Sequence, residues 1–221
     1  MKKSLKVCLD FSGVLVDDYE STKYCLKKSF GKLSTYFYNG FAKNKSEYFL
    51  YIIFNKFFKF KFLNFLNKYL LLRKDNLLKY INCMKNQNIK IYNSILEKIL
   101  NLKEKLNIEY FIISLQPKKV IYKVLSDFLE CITNKVYGLE EILKSYDIDL
   151  MNSKINLLRK IGCDVYVTDD PNEKDKIEKN YKNIKVFLIK SKYFKHKNIE
   201  YNKIEDIEEY VAKIFGNKFN F

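Results

Sequence analysis

Short apolar runs alternate along the chain with segments in which apolar residues recur at helical spacing. Four runs have the length and composition of buried strands: residues 6–11 (KVCLDF), 110–113 (YFII), 164–167 (DVYV) and 184–189 (IKVFLI). Three segments carry the apolar stripe of an amphipathic helix: residues 95–106, 153–161 and 204–215. Pro117 and Pro171 stand where two further helices begin. Because strands and helices alternate, we predict an α/β fold with a Rossmann-like, doubly wound parallel sheet.

One long segment interrupts this alternation. Residues 19–87 separate the first predicted strand from the remainder and are helical and aromatic in character. Their most apolar part, residues 48–72, contains four lysines and three asparagines, which are too many for a membrane span. We therefore predict a mainly helical cap, inserted into a core made of residues 1–18 and 88–221. A helix lying in a membrane interface is the alternative for residues 48–72.

Positive charge is concentrated in the same part of the chain. Residues 19–90 contain 15 Lys or Arg and three acids, which gives a net +12 of the formal +15. A codon bias towards lysine accounts for part of this excess. We nevertheless expect a nearly neutral core that carries a basic cap, and a basic surface attracts anionic ligands.

The cysteines and the histidine are too few and too scattered for most metal or disulfide frameworks. The 221 residues include five cysteines without a CxxC pair and one histidine, His196. We therefore expect neither a zinc site nor a disulfide framework, and we predict a reducing, cytoplasmic location. The N-terminal residues do not resemble a signal peptide, because the first predicted strand follows two lysines directly.

Polar side chains follow three of the predicted strands at the point where each strand ends. They are Asp10, Ser114 and the pair Asp169 and Asp170. The carboxyl ends of parallel strands meet at one edge of a sheet, where ligands bind in open α/β folds. Each residue alone is also typical of a turn or a helix cap. Together with Lys154, they form a set with complementary chemistry.

The residues around Asp10 resemble the first motif of the haloacid dehalogenase-like superfamily, which is often written DFDGVLVDS. Residues 10–18 read DFSGVLVDD and match that motif at seven of nine places. Ser114 is similar to the second motif, a strand that ends in Ser or Thr. Lys154 and the Asp169–Asp170 pair are similar to the third and fourth. The resemblance covers residues 5–18 and roughly 88–215.

The resemblance implies a phosphoryl-transfer hydrolase that acts on a small phosphorylated substrate. Asp10 would be the nucleophile and would form an aspartyl-phosphate. Ser114 and Gly13 would bind the phosphoryl group. The substrate itself carries no recognisable signature in the sequence.

The resemblance also implies a cation site and a catalytic lysine. Asp10 together with Asp169 or Asp170 would hold Mg²⁺, which neutralises the charge of the phosphate. Lys154 would stabilise the negative charge that develops during transfer. Lys144 is an alternative for that role, at a longer spacing from the last motif.

Ser12 departs from the family pattern at a catalytic position. In phosphatases of the superfamily an aspartate at this place protonates the leaving group and then activates water, and a serine hydroxyl is too weak for either task. Such catalysis contributes roughly 10²–10⁴-fold, so its loss raises the barrier by about 3–5 kcal/mol. We therefore expect slow hydrolysis unless another group substitutes for the missing aspartate.

Two functions remain open at this point. The first is a Mg²⁺-dependent phosphatase-type enzyme. The second is a weakened relative that binds a phosphorylated ligand, a nucleic acid or an acidic partner through its basic cap. Lysines interleaved with aromatic residues suit nucleic acid, although we do not favour that partner.

Overall fold

The computed structural model describes residues 4–30, 74–144, 150–194 and 200–216. Seven strands are present in these ranges: β1 Leu5–Leu9, β2 Val16–Asp17, β3 Lys90–Ile91, β4 Ile108–Ile113, β5 Val136–Tyr137, β6 Val165–Thr168 and β7 Lys185–Leu188. Nine helices accompany them in the same ranges: α1 Tyr19–Phe30, α2 Lys74–Lys85, α3 Asn93–Lys105, α4 Lys118–Val124, α5 Leu129–Ile132, α6 Leu139–Leu143, α7 Leu150–Ile161, α8 Pro171–Asn180 and α9 Ile204–Gly216. The apolar run 48–72 and His196 lie outside the described residues.

Five strands form one parallel sheet in the order β5-β4-β1-β6-β7. The first strand of the chain is therefore central, and later strands are added on both sides of it. This arrangement confirms the predicted α/β, Rossmann-like fold. Strands β2 and β3 form a separate antiparallel pair, in which Val16 lies opposite Ile91.

Helices cover both faces of the sheet, so its strands are buried on both sides. Val7 and Leu9 face one layer, which includes residues of α3, α4 and α9. Cys8, between them, faces the other layer with residues of α7 and α8. A strand with apolar residues on consecutive positions requires this two-sided cover, since side chains alternate between faces.

The four predicted strands agree with β1, β4, β6 and β7 to within two residues at each end. Strand β5 and the β2–β3 pair are additional to the prediction. Each of these strands is two residues long, and such a short segment carries no periodicity that sequence reasoning can detect.

A disulfide joins α1 to α2, although the scattered cysteines predict no disulfide framework. Cys25 and Cys83 are bonded across a separation of 58 residues. Cys8, Cys131 and Cys163 are free thiols. The pair could not be found by motif, because two distant helices bring it together. Among the described residues, no helix combines the length and apolarity that a membrane span requires.

Candidate active site

The structure brings the polar strand ends together at one edge of the sheet. Strands β4, β1 and β6 are neighbours, so Ser114, Asp10 and Asp169 follow adjacent strands. The Asp10 main-chain N–H donates to the Val167 carbonyl at 2.9 Å and continues the ladder to the site. All three side chains are buried, which is the environment in which charge–charge interactions are strongest.

Lys154 is the direct partner of Asp10. Its Nζ lies 2.5 Å from Asp10 Oδ2 and 2.9 Å from Glu173 Oε1. The Lys154 side chain is 2% exposed. Lys154 is held there by α7, whose apolar residues Ile155 and Leu158 pack on the sheet. A buried ammonium between two carboxylates is a fixed cation next to the candidate nucleophile.

Lys144, the alternative to Lys154, lies elsewhere. It is the exposed residue at the C-terminal cap of α6. The structure therefore places Lys154 in contact with Asp10 and leaves Lys144 on the surface.

Glu173 is a site residue that the sequence reasoning missed. Its Oε2 accepts hydrogen bonds from Tyr166 at 2.6 Å and from Thr168 at 2.9 Å, while both its oxygens contact Lys154. A signal was present, because Glu173 falls in the first turn of the helix predicted to begin at Pro171. An acid there is common for favourable interaction with the helix dipole, which is why it did not stand out.

Asp169 and Asp170 have different surroundings. Asp169 is buried and accepts a 2.5 Å hydrogen bond from Ser191. Asp170 is half-buried and caps α8, where its Oδ1 accepts from the main-chain N–H of Asn172 at 2.8 Å. Asp169 therefore belongs to the buried site, whereas the Asp170 carboxylate is engaged at the helix end.

Gly13 allows the main chain to pass close to Asp169. It has a φ of +75°, which disfavours residues with a side chain. A Cβ at this position would fall well inside van der Waals contact with the Asp169 carboxylate. Glycine is thus required here for both conformation and space.

The charges of the site are strongly coupled. Burial raises the pKa of the Asp10 carboxyl to about 6, although the Lys154 cation opposes the rise. Burial, followed by the nearby Asp10 carboxylate, raises the pKa of Asp169 well above its ordinary value. Burial alone would lower the pKa of Lys154, but Asp10 and Glu173 outweigh it and raise that pKa. The lysine therefore stays charged.

The two serines of the predicted site are both near this edge. The Ser114 hydroxyl is buried and accepts a 3.2 Å hydrogen bond from the Gln116 main-chain N–H. Ser12 is half-buried, and its hydroxyl donates to Asp18 at 2.7 Å. The predicted site residues thus lie on loops that follow β1, β4 and β6, apart from Lys154 on α7.

Comparison with known proteins supports the same fold. No protein-family model and no curated protein matches the sequence. Among solved structures, a predicted phosphatase from Clostridium acetobutylicum has a TM-score of 0.58 at 14% identity, and the match covers 95% of this chain and 99% of that one. CbbY from Rhodobacter sphaeroides, in complex with phosphate, has a TM-score of 0.57 at 12% identity, with 89% and 90% covered.

A haloacid dehalogenase-like family hydrolase from Streptococcus pneumoniae also matches, with a TM-score of 0.54 at 12% identity and coverage of 96% and 100%. These similarities extend over nearly the whole of each chain. The protein therefore has the fold of the haloacid dehalogenase-like hydrolases, as the motif around Asp10 predicted.

Proposed function

We propose that the protein is a Mg²⁺-dependent phosphoryl-transfer hydrolase that acts on a small phosphorylated substrate. The observation that carries the proposal is the buried contact between Asp10 and Lys154 at the edge of the sheet. A carboxylate beside a fixed ammonium is suited to attack on a phosphate, because the cation offsets the repulsion between two anions. Two neighbours with the same fold support this assignment: one is a predicted phosphatase, and the other, CbbY, was solved in complex with phosphate.

In this proposal Asp10 attacks phosphorus and forms an aspartyl-phosphate, which water then hydrolyses. Lys154 stays charged and stabilises the oxygens of the transferring group. Ser114 and the main chain at Gly13 bind phosphoryl oxygens at the ends of β4 and β1. Glu173 holds the lysine in place.

The residues of the site fit a magnesium ion. Asp10 and Asp169 are buried carboxylates that follow neighbouring strands, and the Asp10 carboxylate adds to burial in raising the pKa of Asp169. A divalent cation opposes that rise. Mg²⁺ is commonly bound through one or two carboxylates, with water and substrate phosphate completing the shell. Such a site needs no cluster of three acidic, His or Cys side chains, and none occurs among the described residues.

Asp10 and Asp169 would be the carboxylate ligands. Asp170 was predicted as a further ligand, but we favour Asp169 because its carboxylate is buried next to Gly13 while that of Asp170 caps a helix. When bound, the ion would supply a positive charge that neutralises the phosphate.

Beryllofluoride binding tests the nucleophile and the cation site without requiring turnover. With Mg²⁺ present, beryllofluoride should raise the melting temperature of the wild type and leave that of Asp10→Asn unchanged. A ligand at about 100 times its Kd adds roughly 2.7 kcal/mol to the free energy of unfolding. Asp164→Asn is a matched control, because Asp164 lies at the opposite end of β6. A wild type that binds no beryllofluoride contradicts the proposal.

A second candidate function is ligand binding without turnover, and the serine at position 12 is the observation that favours it. Such a protein would bind beryllofluoride and inorganic phosphate but would not hydrolyse 4-nitrophenyl phosphate. The hypothesis that the basic cap captures the ligand or a nucleic acid concerns residues 19–87, of which residues 31–73 lie outside the described residues. Phosphate-driven binding there would weaken as salt increases.

We further propose a cytoplasmic location, as expected from the sequence, and the Cys25–Cys83 disulfide makes that proposal testable. Disulfides are rare in a reducing cytoplasm. Because both cysteines are buried, the cells are quenched with acid and the protein is denatured before free thiols are alkylated without reduction. Mass spectrometry should then find Cys25 and Cys83 modified if the protein is cytoplasmic. Protection of both residues would place the protein in an oxidising compartment.

A further inference from the structure

This chain differs from the nine-residue motif at two places, and the residues at these two places are interchanged. DFDGVLVDS has aspartate at the third place and serine at the ninth, whereas this chain has Ser12 and Asp18 there. In the structure the two exchanged residues are in contact, because Ser12 Oγ donates a 2.7 Å hydrogen bond to Asp18 Oδ2. Position 12 therefore lacks a carboxylate, but the carboxylate of Asp18 is hydrogen-bonded to the Ser12 hydroxyl.

Asp18 is held rigidly in this position. Its side chain is fully buried. Besides Ser12, Oδ2 accepts from Gln116 Nε2 at 2.8 Å and from Thr22 Oγ1 at 3.1 Å, and Oδ1 accepts from the Tyr193 hydroxyl at 2.8 Å. Four donors compensate for the burial of the carboxylate. A fully buried carboxylate that is held by four donors is unusual unless it has a function or ties elements together.

This network reaches the candidate active site at two points. Ser12 lies two residues beyond Asp10, and Gln116 is linked through its main-chain N–H to Ser114 Oγ. Ser12 is half-buried, whereas Asp18 and its other three hydrogen-bond donors are buried. Among the described donors to Asp18, the Ser12 hydroxyl is therefore the one through which Asp18 would act on a substrate.

We propose that Asp18 and Ser12 together perform the acid–base step that a single aspartate performs in the motif, with Ser12 as the catalytic residue and Asp18 as the positioning residue behind it. The inference rests on the proposed function, since it concerns the protons of that reaction.

Protons balance over the two steps. In the first, Asp18 is protonated and donates to Ser12, the reverse of the hydrogen bond in the structure. Asp10 attacks phosphorus, the bond to the leaving oxygen breaks, and that oxygen takes the Ser12 hydroxyl proton while Ser12 takes the proton of Asp18. In the second, water attacks the aspartyl-phosphate and transfers a proton to Ser12, whose own proton returns to Asp18. The hydrogen bond in the structure, with Ser12 as donor and Asp18 as acceptor, is the one the second step requires.

The surroundings of Asp18 are compatible with proton exchange. Burial raises the pKa of Asp18, and its hydrogen bonds offset part of the rise. Among the described residues, two titratable groups that face Asp18 are Tyr80 and Tyr193. Burial raises the pKa of Tyr80 above its ordinary value. Neutral phenols do not compete for the proton near neutral pH.

Hydrolysis of 4-nitrophenyl phosphate tests the inference, because this substrate needs the Ser12–Asp18 pair in only one of the two steps. Nitrophenolate leaves without a proton in the first step, whereas the attack of water in the second step still needs a base. For Asp18→Asn, a rapid burst of about one nitrophenolate per enzyme should be followed by a steady state slowed by about 10²-fold or more. The exchanged variant Ser12→Asp/Asp18→Ser should restore the steady state. Asp17→Asn, the neighbouring carboxylate that pairs with Lys192 at the surface, is the matched control and should leave the burst-to-steady-state ratio unchanged.

The outcomes separate this inference from the proposed function. If burst and steady state fall together in Asp18→Asn, or if neither changes, Asp18 is a structural hub and the inference is wrong. If the wild type lacks a steady state but Ser12→Asp has one, the inference is wrong and the phosphoryl-transfer site stands. If neither protein turns over and neither binds beryllofluoride, the proposed function fails and the inference fails with it.

Discussion

Replacing Lys154 with methionine tests the electrostatic centre of the site. The substitution keeps an unbranched side chain of similar length and removes the ammonium group. Within the described residues, that ammonium is the only cation that forms ion pairs with both Asp10 and Glu173. Two buried carboxylates, with side chains 9% and 5% exposed, would then face each other without that cation. Removal of one partner from a buried ion pair costs about 3–5 kcal/mol, so we expect a loss of that size in the free energy of unfolding.

Urea unfolding followed by far-UV circular dichroism measures this loss, since the chain has no tryptophan for fluorescence. Lys160→Met is the matched control, because Lys160 lies on the same helix and is exposed. It should change the free energy of unfolding by no more than about 0.5 kcal/mol. Hydrolysis of 4-nitrophenyl phosphate by Lys154→Met should also fall by about 10²–10³-fold. If the two variants are equally stable, the buried ion pair does not stabilise the fold and the reasoning is refuted.

Three further predictions follow from the fold. Gly13→Ala should destabilise the protein more than Gly162→Ala: both glycines have positive φ, which costs a side-chain-bearing residue about 1–2 kcal/mol, but only a Cβ at Gly13 meets a carboxylate closely. Equal melting temperatures would contradict this. Reduction of the Cys25–Cys83 disulfide should lower the free energy of unfolding by about 4 kcal/mol, according to the loop-closure model for 58 residues. Cys131→Ser removes an exposed free thiol and should still show the same change in melting temperature on reduction. Thiol titration of the denatured protein should find three thiols before reduction and five after it; five before reduction would show that the disulfide is absent.

Much of the fold could be predicted from local sequence. The strand that contains Val7 and Leu9 is apolar on consecutive positions, and that pattern is typical of a strand covered on both faces. The stripe of α9 is equally clear. The edge strand Val136–Tyr137 could not be predicted, because two residues form a strand only when β4 offers them hydrogen bonds.

The site was predictable where its residues follow strand ends. Asp10, Ser114 and Asp169 depend on the positions at which strands stop, and those positions are visible in the hydrophobic pattern. The choice between Lys154 and Lys144, or between Asp169 and Asp170, was not visible. Spacing along the chain left both pairs open, and only the direction in which each side chain projects distinguishes them.

The sequence by itself determined the order of the four longer strands and of the helices that cover them, the motif around Asp10 and the absence of its second aspartate. Only the tertiary structure decided which groups surround that motif. Glu173 reaches Lys154, Cys83 reaches Cys25, and Asp18 lies behind Ser12 because helix packing and loop geometry bring these side chains together. The physical reason is that the spacing of apolar residues indicates which face of a helix or strand packs on the core. Hydrogen bonds and ion pairs depend instead on distances of a few ångströms, which the complete fold sets.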